Sequence, residues 1–288
     1  PPTVQLIDSL SLLEGLREYS APKVYRRWVM ALFLLGAFFF RRHLYIPPAA
    51  QIGLVRPSQW RRNLLTGHVV GIVSLAALQL VAFALGHRVI ERDENLTLGY
   101  ISAAILGGFA TAAAVGILEE ILFRGALFHA FLRRNNAFLA LILTGIIFTG
   151  VHFFRAGDIP VDRHSWLVGP VSAQHLLYGW WEQFHLFPDF FGLFLVSSAL
   201  CVSVLITRDL FTAIGLHAGW VFVIQVAKDL FDKVRNVPEE IFGGSQFYDG
   251  IVGLVMLVLV IPFLYLCFRF GWLKKAEFFD RRTEPDLP

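Results

Sequence analysis

The sequence predicts an all-α, polytopic membrane protein, a bundle of about six to eight transmembrane helices, on three observations. Hydrophobic residues make up 56% of the 288 positions and charged residues only 16%, with a mean hydropathy of +0.60; a soluble domain carries about a quarter charged residues. Apolar stretches of roughly the 20 residues that a helix needs to cross the hydrocarbon recur along the chain. Basic residues cluster between those stretches, as orientation signals do, and this excludes a nucleic-acid partner despite a net charge of +3.

Residues 1–23 contain the amphipathic stretch LIDSLSLLEGLREY, suited to lying on a membrane surface or to packing as a short solvated helix. Residues 28–40, WVMALFLLGAFFF, form a short apolar run between Arg26-Arg27 and Arg41-Arg42, hence a short span or an interfacial element. Spans are expected over 65–86, 97–115, 111–132, 137–154, 190–207, 210–227 and 249–270. The second and third overlap, because 97–132 is one apolar region of about 36 residues, about 54 Å as a helix and too long for one upright crossing. A break is therefore expected at Gly107-Gly108 or Gly116.

Between 155 and 189 the apolar pattern lapses into Asp158, Asp162, Arg163, His164, His175, Glu182, His185 and Asp189, with Trp166, Trp180 and Trp181 as interface anchors. Its stretch WLVGPVSAQHLLYGWW reads as a re-entrant or weak span. Cys201 and Cys267 lie inside apolar stretches, as small buried hydrophobes do, so no disulfide framework is expected. Without an internal repeat, the chain divides into amphipathic and short membrane-associated segments over 1–64, a helical domain over 65–275 with its motif core at about 95–230, and a polar tail over 276–288. Basic clusters at 41–62, Arg133-Arg134 and the tail place the C-terminus in the cytosol by the positive-inside rule.

Charge inside a span costs roughly 2.5–3.5 kcal/mol even on lenient insertion scales, so Glu119, Glu120 and Arg124 within 111–132 need a reason. Glu120 and Arg124 are four apart, on one helix face and able to pair. Glu119 is turned about 100° from its neighbour, which makes it the candidate general base. His152 closes the apolar run after Phe148. If Arg133-Arg134-Asn135-Asn136 is a tight turn, Glu120 lies opposite about residue 149, and His152 comes within about one turn of the acids. His217, in AIGLHAGWVF, is a third element within a span. A Glu-Arg pair or a lone histidine can simply hold helices together; the joint set is harder to explain by packing. Glu119, His152 and His217 also make a set that zinc takes. A water-activating carboxylate with histidines shaping an oxyanion site, and no metal, fits equally well.

These residues, Glu119-Glu120-x-x-x-Arg124-Gly125, then Phe148-x-x-x-His152, then His217, resemble the CPBP family, the CAAX protease and bacteriocin-processing membrane proteins also called ABI proteins. The segment IGLVRPSQWRRNLL at 52–65 is similar to the stretch that often precedes that core. The resemblance implies an intramembrane endopeptidase of the CAAX-processing type acting on a membrane-associated protein or peptide within the lipid bilayer. It assigns Glu119 and His152 to water activation, His217 to oxyanion support, and Glu120 with Arg124 to holding the site. It favours a bacterial inner membrane over the endoplasmic reticulum. One position departs: many members carry Asn four residues after the last histidine, whereas this chain has Val221, which donates no hydrogen bond; Gln225 lies one turn further along the same face. The alternatives are a non-catalytic membrane scaffold or bacteriocin-immunity-like protein, and a transporter with a proton relay, which would want an inverted repeat that the sequence lacks.

Overall fold

A computed structural model describes residues 58–90, 97–153, 186–233, 239–243 and 249–276, together with Gly36, Leu54, Pro170, Val171 and Gln174. The amphipathic stretch, the short run at 28–40, most of 155–189 and the tail beyond 276 lie outside the described residues. Two compact units are formed, one by 1–44 with 149–185 and the other by 45–148 with 186–288.

Helix α1 spans Trp60–Ala84 and strand β1 Arg88–Ile90. Helix α2, Leu98–Glu120, runs on through a π-helical segment, Ile121–Phe128, into α3, His129–Leu132. Then come α4 (Ala137–His152), a π-helical turn (Leu186–Phe190), α5 (Phe191–Thr207), α6 (Phe211–Leu230), β2 (Phe231–Lys233), α7 (Glu239–Phe242) and α8 (Ile251–Arg269). Among the described residues, five helical runs are long and apolar enough to cross a membrane, and α4, at 16 residues, is a shorter apolar helix. This is the polytopic helical bundle expected from the sequence, with about six spans. Outward side chains such as Leu80, Leu106 and Leu259 are more than 60% exposed, as they are where lipid is the solvent. Among the described residues, the helices are joined by one antiparallel ribbon, β1–β2, with Arg88 opposite Lys233.

The expected break in 97–132 does not occur. Leu98–Leu132 is one run of 35 residues. The glycines expected to interrupt it serve packing instead: a Cβ on Gly116 would press on the Ile214 carbonyl and Ala218, and one on Gly108 on Val226 and Phe222. Contacts that climb on α2 as they descend on α6 make the pair antiparallel.

Helix α6 lies still closer to α1. Each helix carries a Gly-x-x-x-Gly pair, Gly67 with Gly71 and Gly215 with Gly219. A Cβ at any of the four would run into backbone of the other helix: Thr212 and Leu216 for Gly67, Leu216 and Gly219 for Gly71, Leu64 and His68 for Gly215, His68 and Ile72 for Gly219. Small residues at a membrane-helix crossing let backbones approach to contact, where dispersion and weak Cα–H hydrogen bonds replace the hydrophobic effect. The contacts advance together along both helices, so α1 and α6 run parallel. Trp220 Nε1 donates to Ser74 Oγ at 3.1 Å above the crossing.

The starts of the two helices are tied as well. Asn63 Nδ2 donates to Asp209 Oδ2 at 2.5 Å and to the Lys274 carbonyl at 2.8 Å, while the Lys274 N–H donates to Asn63 Oδ1 at 2.9 Å. Asp209 Oδ1 accepts from the backbone N–H groups of Phe211 and Thr212, capping α6. Burial pushes its carboxyl up to about 6, against these hydrogen bonds, which pull it down. The second unit's core fills in behind, with Leu200 and Val204 of α5 and Leu257, Val260 and Leu264 of α8 all buried.

Candidate active site

Four elements of the second unit meet at one polar cluster. The end of α2 brings Glu119 and Glu120, the π-helical segment Arg124, α5 Ser197 and α6 His217. Glu120 and Arg124 are fully buried, and the side chains of Glu119 and His217 are 13% and 8% exposed. Arg124 Nη1 donates to Glu120 Oε1 at 3.0 Å, the pairing that a four-residue spacing allows. Its Nη2 donates to the Ser197 hydroxyl at 3.1 Å and to the Ser197 carbonyl at 3.3 Å. One guanidinium thus joins an acid on its own helix to the backbone of another, as a planar fork with five donors can. Below it lies the Phe148 ring, 4.5 Å from the guanidinium carbon and edge-on to Phe123 at 5.0 Å. Phe148 is therefore packing for the cation.

The π-helical segment gives this pairing its room. Its i→i+5 bonds widen the turn around Arg124. His129 Nδ1 donates to the Arg124 carbonyl at 2.5 Å, fastening the end of the wide turn. Neither the π-helical segment, Ser197 nor His129 is visible as a site residue in the sequence. Six apolar-and-small residues surround Ser197, and His129 stands alone.

His217 donates from Nδ1 to Glu120 Oε1 at 2.8 Å, the oxygen that Arg124 also contacts. This fixes the ring and leaves Nε2 turned to Glu119 Oε2, 4.0 Å away. The two acids are therefore divided by geometry: Glu120 contacts both the histidine and the arginine, while Glu119 faces the other ring nitrogen. Glu120 Oε2 and Arg124 Nε have no hydrogen-bond partner among the described residues.

His152 ends α4 and belongs to the other compact unit. Val221 is half-buried on α6, and Gln225 sits where a Cβ on Gly108 would touch it, an interhelical contact. His164, His175 and His185 lie outside the described residues. As for a metal, Glu119 Oε2 and His217 Nε2 converge as two donors, but a catalytic zinc takes three protein ligands, and no group of three such side chains is placed to hold an ion among the described residues.

The family model described as type II CAAX prenyl endopeptidase Rce1-like matches residues 100–223. The match encloses the paired acids, Arg124, Phe148, His152 and His217, and the CPBP resemblance read from those motifs is borne out over this stretch. The match spans 124 of the 288 residues, and the apolar helices that carry it are those of a multi-pass membrane protein. No curated protein and no solved structure gives a significant match to the chain.

Proposed function

We propose that the chain is an intramembrane endopeptidase of the CAAX-processing type, which hydrolyses a peptide bond of a membrane-associated protein or peptide with a water activated by Glu119. The observation that carries this reading is the 4.0 Å approach of Glu119 Oε2 to His217 Nε2, with the far side of His217 pinned by a buried Glu120. At 4.0 Å the two atoms are too far apart to bond each other directly. A water about 2.8 Å from each would hydrogen-bond both, with an apex angle of about 90°.

In the first step Glu119 takes a proton from that water as its oxygen attacks the scissile carbonyl carbon. His217, held through Nδ1, presents Nε2 to the developing oxyanion and donates to it when that nitrogen carries a proton. Collapse of the tetrahedral adduct breaks the C–N bond, and the proton on Glu119 passes to the leaving amine. His152 is assigned to water activation by its place in the family motif alone. A divalent ion such as zinc is not needed by any of these steps.

Position supports the substrate class. His217 is six residues, about 9 Å, from the start of α6. The end of the bundle at that level carries Arg61, Arg62, Arg208, Arg269, Lys274 and Lys275, with Asp209 as its acid among the described residues. By the positive-inside rule this end, and with it the C-terminus, faces the cytosol of a cell whose inner membrane holds the protein. A peptide bond just inside the cytosolic leaflet is then the one within reach.

The test compares wild-type protein and Glu119→Gln in liposomes and in membranes of the host cell, sequencing C-termini after incubation in water labelled with oxygen-18. New C-termini that carry the label with wild type and vanish with Glu119→Gln are expected, at least a thousandfold loss in rate. Identical C-termini from both proteins would overturn the reading in favour of a non-catalytic scaffold.

A further inference from the structure

A cleft of about 300 Å³ opens on the outer surface of the second unit between α1 and α8, lined by Leu65, Thr66, Val69, Val73, Phe263 and Trp272. Leu65, Val69 and Val73 are more than half exposed, so the cleft looks onto hydrocarbon. From Leu65 to Val73 it follows α1 for about 12 Å. Its mouth is braced: Thr66 Oγ1 and Arg62 Nε donate to the Trp272 carbonyl at 3.2 and 3.1 Å, and Arg62 also donates to the Gly271 carbonyl. The turn after α8 cannot slide to close the space without giving up those bonds. A void on a lipid-facing surface forfeits dispersion contacts along its whole wall unless an apolar chain fills it.

Charge at the mouth selects which lipid. Trp60 and Trp272 mark the headgroup level, where indole rings collect. Arg61 lies one turn before Leu65 on the same helix face, with its guanidinium carbon 5.4 Å from the Trp60 ring. Lys274 and Lys275 follow Trp272 and are exposed. The acid at this end, Asp209, is buried and turned inward to Asn63, so it does not cancel them. We propose that the α1–α8 cleft binds an anionic glycerophospholipid, one acyl chain lying along Leu65–Val73 and the phosphate held by Arg61, Lys274 and Lys275. The inference is independent of peptidase activity, since no residue of the catalytic cluster lines the cleft.

The protein in detergent is mixed with palmitoyl-oleoyl phosphatidylglycerol or the matching phosphatidylcholine, and retained lipid is counted by native mass spectrometry. One phosphatidylglycerol per chain is expected, held at least tenfold better than phosphatidylcholine. Replacing Arg61, Lys274 and Lys275 together by Gln lowers its retention about a hundredfold, at about fivefold per cation. Val69→Trp fills the cleft from a lipid-facing position, leaves the cations in place and abolishes retention. Both are surface changes, and an unchanged melting curve shows that the fold survives them. Equal retention of the two lipids, or retention unaffected by either variant, overturns the proposal. Phosphatidylglycerol brominated on its acyl chain should quench wild-type fluorescence more than that of Trp272→Phe, and equal quenching would overturn it too.

Discussion

Two histidines of this bundle sit in nearly the same local sequence, GHVVG on α1 and GLHAG on α6, yet their surroundings differ. His68 comes one residue after its first glycine, about 100° from the glycine stripe, and its ring meets Phe109 edge-on at 6.3 Å and Phe222 at 6.4 Å. His217 comes two residues after Gly215, about 200° round, so it turns its back on α1 and faces the acids of α2. One residue of phase separates a ring packed among phenylalanines from a ring held by a carboxylate. What an intramembrane histidine does is thus set by its angle to the face its helix uses for packing.

That contrast breaks most completely if the glycine stripe is removed. Gly215→Leu drives a side chain into the Leu64 carbonyl and the His68 backbone, neither of which can yield. No folded protein is expected, read as loss of the cooperative melting transition and of the monodisperse peak on gel filtration. Next, Arg124→Ala leaves Glu120 buried beside His217 without its cation and should cost about 3–5 kcal/mol in a denaturant titration. A cost near zero would mean that the acids and His217 do not depend on the guanidinium. Third, the knot that starts both helices is sensitive to pH. The Asp209 carboxyl is held at about 6 when folded, against a usual 3.8, so the folded chain binds that proton more tightly than the unfolded one. Its contribution is full below about pH 4 and is lost as the pH rises through about 6, on the order of 2–3 kcal/mol; Asp209→Asn should flatten this slope in melts taken across the range. Ser197→Ala should cost about 1–2 kcal/mol by stripping one partner from Arg124. Finally, His68→Phe should change stability by no more than about 0.5 kcal/mol, measured in the same melts, if its role is ring packing alone.

Much of the architecture was legible in the sequence, because a helix that faces lipid must be apolar for about 20 residues and little else satisfies that demand. In 97–132 the glycines suggest an interruption of helix α2; Gly108 and Gly116 instead admit α6, which only the partner helix reveals. The Gly-x-x-x-Gly pairs are visible in the sequence, but which helix each one admits is set by the packing of α1 on α6. Within the site, the Glu120–Arg124 pair follows from spacing on one helix. The Glu120–His217 bond does not, because it needs the antiparallel pairing of α2 with α6, which joins residues 97 positions apart in the chain. Ser197 looked like one more small residue in FLVSSALCVS. It matters only because α5 passes within reach of the Arg124 fork.

The wide turn at Ile121–Phe128 has a consequence for the length of the chain around it. An i→i+5 turn stores extra chain without ending the helix. It works as a clutch between the stretch that carries the acids and the stretch that leads to Arg133-Arg134. Excising one residue there would let the tighter ladder re-engage with the two stretches still in nearly the same register, because the residue removed is the one the wide turn absorbs. A deletion at this spot therefore stays local to the Arg124 contacts, whereas one in the regular part of α2 would swing everything beyond it by about 100°.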